Sequence, residues 1–268
     1  MPTFREMHRP GHPFVLANAW DVGSARMLVA LGARAVATTS AGHAFTRGLP
    51  DGGQVTREEA IAHAADLAAH VDVPVSGDLE DGYGPEPADA AETVRQAGVA
   101  GLAGCCIEDV AGDGSPYAYA AAVARIENAV VAARAAPVDH MLCARADGVM
   151  HGAYDLDEAI RRLRAFREAG ADVLYCPVPG TPDDLRRVVE ALDGAPVNAL
   201  AVGPLAKLSL AEMGEIGVAR VSLGSALARA THRVIAEGAR AMFGDGRFDA
   251  VPGMAGDAVD DLLTRGTP

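Results

Sequence analysis

The 268-residue sequence predicts a closed (β/α)8 barrel, one domain over residues 1–268, with extra helices after its eighth unit. Three observations predict it. Short apolar runs alternate with amphipathic stretches along the whole chain, in eight βα units, and roughly 250 residues is typical of such a barrel. The runs are apolar on both faces, as in a parallel sheet covered by helices. Glycines stand where helices should end, at Gly32, Gly98, Gly170, Gly194 and Gly217, each just before the next strand, as left-handed C-caps do. An open doubly wound sheet would carry a GxGxxG turn after its first strand, and the stretch there reads NAWDVGSA.

In chain order, the predicted strands are 14–18, 34–39, 73–80, 101–109, 140–147, 172–177, 195–201 and 220–225. Amphipathic helices are predicted at 56–70, 118–135, 155–169 and 181–192, where apolar residues recur at helical spacing. Beyond the eighth strand come a helix at 226–243, the loop GDGRFDAVPG and a short helix near 256–264. These exceed what closure needs, so the 226–268 extension is expected to pack on a neighbouring subunit or across the barrel bottom.

Bulk properties narrow the function classes. A formal net charge of -13 argues against nucleic acid, whose phosphates call for a basic face. No apolar run is long enough to cross a bilayer, and the opening MPTFREMHRPGHPF has no apolar signal-peptide core. The four cysteines, at 105, 106, 143 and 176, lie in apolar runs without CxxC spacing. Buried reduced thiols and a cytoplasmic location are the expectation.

Barrel enzymes place their chemistry at the C-terminal ends of the strands. Those ends carry Asn18, Trp20 and Asp21; then Thr38 to Gly42; then Asp78, Glu80 and Asp81 in PVSGDLEDGYG; then Glu108 and Asp109; then Arg145 and Asp147; then Cys176; then Asn198. Strand alternation puts Asp78 and Glu80 on one face. Carboxylates crowded in a barrel mouth repel, and a divalent cation with oxygen ligands relieves them; Mg²⁺ suits, since it keeps several waters. The plainer reading, acids that cap the following helices, is preferred for Asp81 and Asp109. Metal binding is preferred for Asp78 with Glu108. Arg145 ends an otherwise apolar strand and can take a carboxylate in bidentate fashion, against the plain alternative of a structural ion pair. Ser40, Ala41 and Gly42 are small enough for backbone N–H groups to approach an anion.

In these motifs the chain resembles the isocitrate lyase/phosphoenolpyruvate mutase superfamily. The likeness rests on NAWD (18–21), Ser40 to Gly42, Asp51, GDLEDGYG (77–84), GCCIED (104–109) and CARAD (143–147), in order across residues 13–230. The resemblance implies a Mg²⁺-dependent enzyme, with Mn²⁺ as a possible substitute, acting on a small 2-oxo acid or its precursor. It implies Asp78 as direct metal ligand, with Asp51, Glu80 and Glu108 holding metal-bound waters. It implies that Ser40, Ala41, Gly42 and Arg145 bind a substrate carboxylate and that Trp20 walls the pocket. Asn198 is counted with the substrate-binding residues, and Asp51, Arg145 and Tyr117 with the catalytic ones. A homotetramer that exchanges a C-terminal helix is implied as well.

Departures from the family pattern narrow the reaction. Isocitrate and methylisocitrate lyases share a Lys-Lys-Cys-Gly-His loop after strand four, and here the stretch is VAGDGSPYAY (110–119). The phosphonate branch uses an Asn in that loop and a His after strand six; this chain has no Asn there and Cys176 in place of the His. Glu80 stands where the family usually shows Asp. A carbon–carbon lyase acting through an enolate remains, on oxaloacetate by decarboxylation or on a substituted malate by cleavage. The alternatives are a phosphonopyruvate-type enzyme and a non-catalytic protein that binds Mg²⁺ and a 2-oxo acid. Tyr117, Tyr119 and His43 are candidate proton donors. The sole lysine, Lys207, follows strand seven and is the one candidate for Schiff-base chemistry.

Overall fold

The computed structural model describes residues 2–251 and 253–268. Eight parallel strands close into a barrel in sequence order. They are β1 (Phe14–Asn18), β2 (Val36–Ala37), β3 (Val75–Asp78), β4 (Gly104–Glu108), β5 (Met141–Arg145), β6 (Val173–Tyr175), β7 (Val197–Leu200) and β8 (Arg220–Ser222). The barrel closes through β1 and β8, with Phe14 opposite Arg220 and Leu16 opposite Ser222. Around it run α1 (Phe4–Met7), α2 (Val22–Ala30), α3 (Ser40–Thr46), α4 (Arg57–Ala69), α5 (Pro87–Val99) and α6 (Tyr119–Arg134). The ring continues with α7 (Leu156–Glu168), α8 (Pro182–Ala191), α9 (Leu210–Ile216), α10 (Ala226–Arg240) and α11 (Gly256–Arg265).

Strand alternation sorts the apolar residues into two cores. On β5, Met141 and Cys143 join an interior core with Leu16, Cys106, Tyr175 and Leu200. Leu142 and Ala144 face outward, into the layer between strands and helices. All four cysteines are buried and free, as the sequence implied. Helix starts follow capping chemistry: Thr56, Thr181 and Ser209 each accept a backbone N–H and are answered by an acid three residues on.

Two differences from the sequence reading matter for the site. The opening segment, where no element was expected, forms a helix: Thr3 caps α1 in a capping box, and Phe4 and Met7 are about 95% buried in the interior core. Each such side chain contributes about 1.5–3 kcal/mol, so α1 plugs the barrel bottom, where the C-terminal extension was one expected candidate. Gly98 does not end a helix. It lies inside α5, where a Cβ would come within 2.7 Å of Ala136, and the left-handed residue is Gly101 at φ 80°. The other four glycines take positive φ as expected.

The C-terminal extension follows β8 as two helices joined by a loop. Helix α11 packs on α2 of its own chain and buries Leu262 there. Around α10 and the segment after it, Ile235, Phe243, Phe248 and Met254 remain exposed.

Candidate active site

A cavity of about 210 Å³ runs from the C-terminal mouth of the barrel down between the strands. Asp78, at the end of β3, points inward and is surrounded by donors. Its Oδ2 accepts from the backbone N and hydroxyl of Ser40 at 2.8 and 2.9 Å. Its Oδ1 accepts from Arg145 Nη1 at 3.0 Å and from the Cys106 thiol at 3.1 Å. The sequence placed Ser40, Asp78 and Arg145 at strand ends, and the structure brings them into contact; Cys106 was expected only as a buried thiol.

Arg145 is the hub of the mouth. Besides Asp78, its Nη1 meets Glu108 Oε1 at 2.9 Å. Its Nε and Nη2 grip Asp147 in a two-pronged pair, and the Asp147 side chain is fully buried. Asp147 is held in turn by Asp109, whose Oδ1 accepts the Asp147 backbone N–H at 2.8 Å while Oδ2 accepts from Tyr154 and Arg162. Asp109 is therefore structural, but as a brace between Asp147, Tyr154 and Arg162 and not as the helix cap expected of it. The plain alternative for Arg145, an ion pair, describes this arrangement, and both arms of its guanidinium are taken by acids.

Glu80 reaches the cavity by a route that strand alternation does not give. β3 ends at Asp78, Leu79 turns into the outer core, and Glu80 has a left-handed φ of 47°. Such a conformation is uncommon for a residue with a side chain and has to be held by its surroundings. Arg57 and Thr93 hold the carbonyl of Gly82, and Arg125 holds that of Asp81. Burial pushes the Glu80 carboxyl up to about 7, against a hydrogen bond from Gly53 N at 3.0 Å; Asp78 and Asp51 push the same way as burial. Asp51 and Glu108 are also raised, first by burial, with Asp78 adding to both.

Asp51, Asp78, Glu80 and Glu108 thus line one cavity. Among the described residues no three His, Cys, Asp or Glu side chains converge into a ready-made cage. An all-oxygen, strongly anionic set that does not chelate closely fits a hard cation held largely through its own waters. The resemblance implied that ligand pattern for these four residues.

The floor of the cavity holds what the sequence reading missed. Arg220 begins β8, is 4% exposed and lines the cavity together with Ser222, Leu16 and Leu200. Its Nε donates to Asn198 Oδ1 at 2.8 Å, and its Nη1 meets His8 Nε2 at 3.2 Å. His8 Nδ1 donates to the carbonyl of Phe4, which leaves Nε2 as the acceptor. Burial, then Arg220, lowers the His8 pKa to about 3, so the ring is neutral. Asn198, expected to touch substrate, instead positions Arg220 and Ser222, donating to the Ser222 hydroxyl at 2.9 Å.

Other expected residues are placed differently. Ser40 and Ala41 line the cavity, but Gly42 sits behind them: a Cβ there would meet Thr39 and Trp20, and its N–H donates to Thr39. Trp20 packs behind Gly42 and does not line the cavity. The hydroxyl of Tyr117 donates to Asp81 at 2.6 Å and its ring lies under Arg125, so it ties the loop down and does not face the cavity. Asp81 does not cap a helix as expected; it accepts from the Tyr83 backbone N–H and the Tyr117 hydroxyl and borders the cavity. Tyr119 stacks on Arg161, and His43 is buried against His63, with ring centres 3.8 Å apart. His151 and Met150, after β5, do line the mouth, beside Val110 to Gly112. Gly112 packs directly on Gly53, so two glycine loops meet over the opening. Cys176 faces the outer core, where burial pushes its thiol up.

The profile of the family described as phosphoenolpyruvate phosphomutase matches residues 4–243. A 2,3-dimethylmalate lyase of Eubacterium barkeri is 29% identical over 221 residues, 80% of this chain and 75% of that one. A Burkholderia cenocepacia crystal structure, of a lyase/mutase assigned by inference, superposes with a TM-score of 0.91 at 44% identity, over 97% of this chain and 94% of the other. Oxaloacetate acetylhydrolase in complex with oxalate superposes with a TM-score of 0.85 at 25% identity, over 97% and 92%. The chain belongs to the phosphoenolpyruvate mutase family and is an enzyme of the isocitrate lyase/phosphoenolpyruvate mutase superfamily, without the loop of the isocitrate lyases themselves.

Proposed function

We propose that the chain is a Mg²⁺-dependent carbon–carbon lyase acting on a small 2-oxo or 2-hydroxy diacid through an enolate. The two reactions that fit are decarboxylation of an oxaloacetate-type acid and cleavage of a substituted malate. The observation that carries this reading is the single cavity of about 210 Å³ lined by Asp51, Asp78, Glu80, Glu108 and Arg145. Related proteins named for dimethylmalate cleavage and for oxaloacetate hydrolysis support it.

Asp78 would hold the cation directly, and Asp51, Glu80 and Glu108 its waters; Mn²⁺ would fit the same oxygens. When bound, the ion supplies Lewis-acid stabilisation of negative charge at the 2-oxo group. The protein's own residues do the rest. Asp78 and Glu108 share Nη1 of Arg145, so turning them toward a cation frees that N–H for a substrate carboxylate. Asp147 keeps Nε and Nη2, which holds the guanidinium in place. Ser40 and Ala41 border the same space. The loops that meet at Gly53 and Gly112 narrow the opening and limit water around the reacting carbanion.

The phosphonopyruvate reading is weaker, since the short loop at 110–116 carries no Asn and Cys176 stands after β6 where that branch has its His. The exposed Phe243, Phe248 and Ile235 fit burial against further copies of the chain, in the tetramer that the resemblance implies.

The test is incubation of purified protein with Mg²⁺ and oxaloacetate, methyl-substituted malates, methylisocitrate or phosphonopyruvate, with NMR detection of products. Pyruvate or another 2-oxo acid from one of the first two classes is the expected result. Binding without product from any of the four would leave a non-catalytic binder and end the lyase reading. Light scattering in the same buffer reads the oligomer.

A further inference from the structure

We infer that Arg220 is a second anion subsite, which takes the distal carboxylate of a 2-hydroxy diacid and thereby selects C2–C3 cleavage over decarboxylation. The inference rests on the lyase reading for the reaction, but not for the binding. Arg220 starts β8 on the inward face and lies at the floor, while Asp78 ends β3 at the mouth. Its protein partners, the Asn198 amide oxygen and the neutral His8 ring, carry no charge. A buried cation without a counter-charge is costly, and this one opens on the substrate cavity. Arg145 contrasts with it, being already matched by Asp78, Glu108 and Asp147.

Ser222 adds to the subsite. Its oxygen accepts from Asn198, which leaves its own O–H to donate elsewhere. Asn198 and His8 fix the guanidinium from below, so the subsite is built before any ligand arrives.

The position of the charge decides between the two reactions. In decarboxylation the distal carboxylate leaves as neutral CO₂, and an arginine on it stabilises the ground state that must be lost. In C2–C3 cleavage the 2-hydroxyl proton passes to a mouth carboxylate and C2 becomes a carbonyl. The C2–C3 bonding pair moves onto C3 and its carboxylate, and a proton from water then quenches C3. Negative charge grows on the distal group, where Arg220 stabilises it. The products are one 2-oxo acid and one simple carboxylic acid.

The experiment uses matched acids that differ only in a distal carboxylate or methyl group: L-malate against 2-hydroxybutyrate, and 2-oxoglutarate against 2-oxovalerate. Binding is measured by calorimetry with Mg²⁺ present. The wild type is expected to bind the diacid of at least one pair tenfold or more tightly than its methyl partner. Arg220→Met should bring that ratio within threefold, and Arg220→Lys should keep part of it. Equal binding by the wild type, or a ratio that survives in Arg220→Met with an unchanged thermal midpoint, overturns the subsite. If Arg220→Met does not fold, the wild-type ratio and Arg220→Lys decide alone. An Arg220-dependent ratio without turnover of any acid would defeat the lyase reading and leave the subsite standing. Decarboxylation of oxaloacetate that persists in Arg220→Met would remove the choice of C2–C3 cleavage.

Discussion

At the mouth of the barrel one arginine is crowded by acids, and at the floor another arginine meets none among the described residues. Arg145 contacts Asp78, Glu108 and Asp147, with Glu80 and Asp51 nearby in the same cavity. Arg220 contacts an amide and a neutral imidazole. The cavity is therefore polarised along the barrel axis, negative above and positive below. A mouth with excess negative charge calls for a cation, and a floor with excess positive charge calls for an anion. One scaffold thus presents unlike charges at its two ends, because the strands supply inward side chains at both depths.

The largest effect should come from removing the hub of the mouth. Arg145→Met leaves three buried or half-buried acids without their cation, and breaking such a pair costs about 3–5 kcal/mol. Urea unfolding should show that loss, turnover should vanish, and Mg²⁺ should restore part of the stability by replacing the lost charge. A loss below about 1 kcal/mol would mean that the cluster is not mutually dependent. Asp78→Asn tests the cation directly. At a hundredfold excess over Kd a ligand stabilises the folded state by about 2.7 kcal/mol, so Mg²⁺ should raise the wild-type thermal midpoint and leave that of Asp78→Asn unmoved. An equal rise in both would reassign the ligand.

The two ends should also answer pH in opposite directions. His8 has a folded pKa of about 3, depressed by burial, so the unfolded chain takes up a proton that the folded one does not. Its stabilising contribution is complete above the ordinary histidine range and is lost as pH falls from about 6.5 toward 3. Glu80, raised to about 7 by burial, stays protonated in the fold, and its contribution is lost as pH rises from about 4.5 to 7. His8→Leu should therefore flatten the acid side of the stability profile by about 2 kcal/mol between pH 6.5 and 5. Thermal midpoints across that range, with a chelator present, read the difference. Parallel profiles for wild type and variant would show that the floor histidine is not buried as described.

Much of the mouth was legible because strand order and alternation fix where the last residue of a strand points. Asp78, Glu108 and Arg145 each end a strand and project into the barrel together. Residues in turns and loops escaped that logic. Glu80 arrives through a left-handed turn, and Tyr117 turns to Asp81. The floor was invisible for another reason: attention to C-terminal strand ends overlooks a long side chain that begins a strand and reaches upward. An arginine two residues before Ser222 on the inward face of an apolar strand was the available signal. Helix α1 hid because its two apolar residues, Phe4 and Met7, lie three apart among polar neighbours, too few to show a period.

The smallest effect should come from Lys207. A Schiff-base enzyme on this scaffold would need an amine that reaches the cavity, and Lys207 is exposed at the end of a 3₁₀ turn (Gly203–Lys207) after β7, outside the lining. Neither end of the polarised cavity depends on it. Lys207→Ala should therefore keep turnover within about twofold and leave the thermal midpoint unmoved, since surface substitutions away from special features stay within about 0.5 kcal/mol. Trapping with borohydride in the presence of a 2-oxo acid should leave the protein mass unchanged. A mass increase that disappears in Lys207→Ala would replace the cation at the mouth with covalent catalysis, and would reduce the acid cluster around Arg145 to a structural feature.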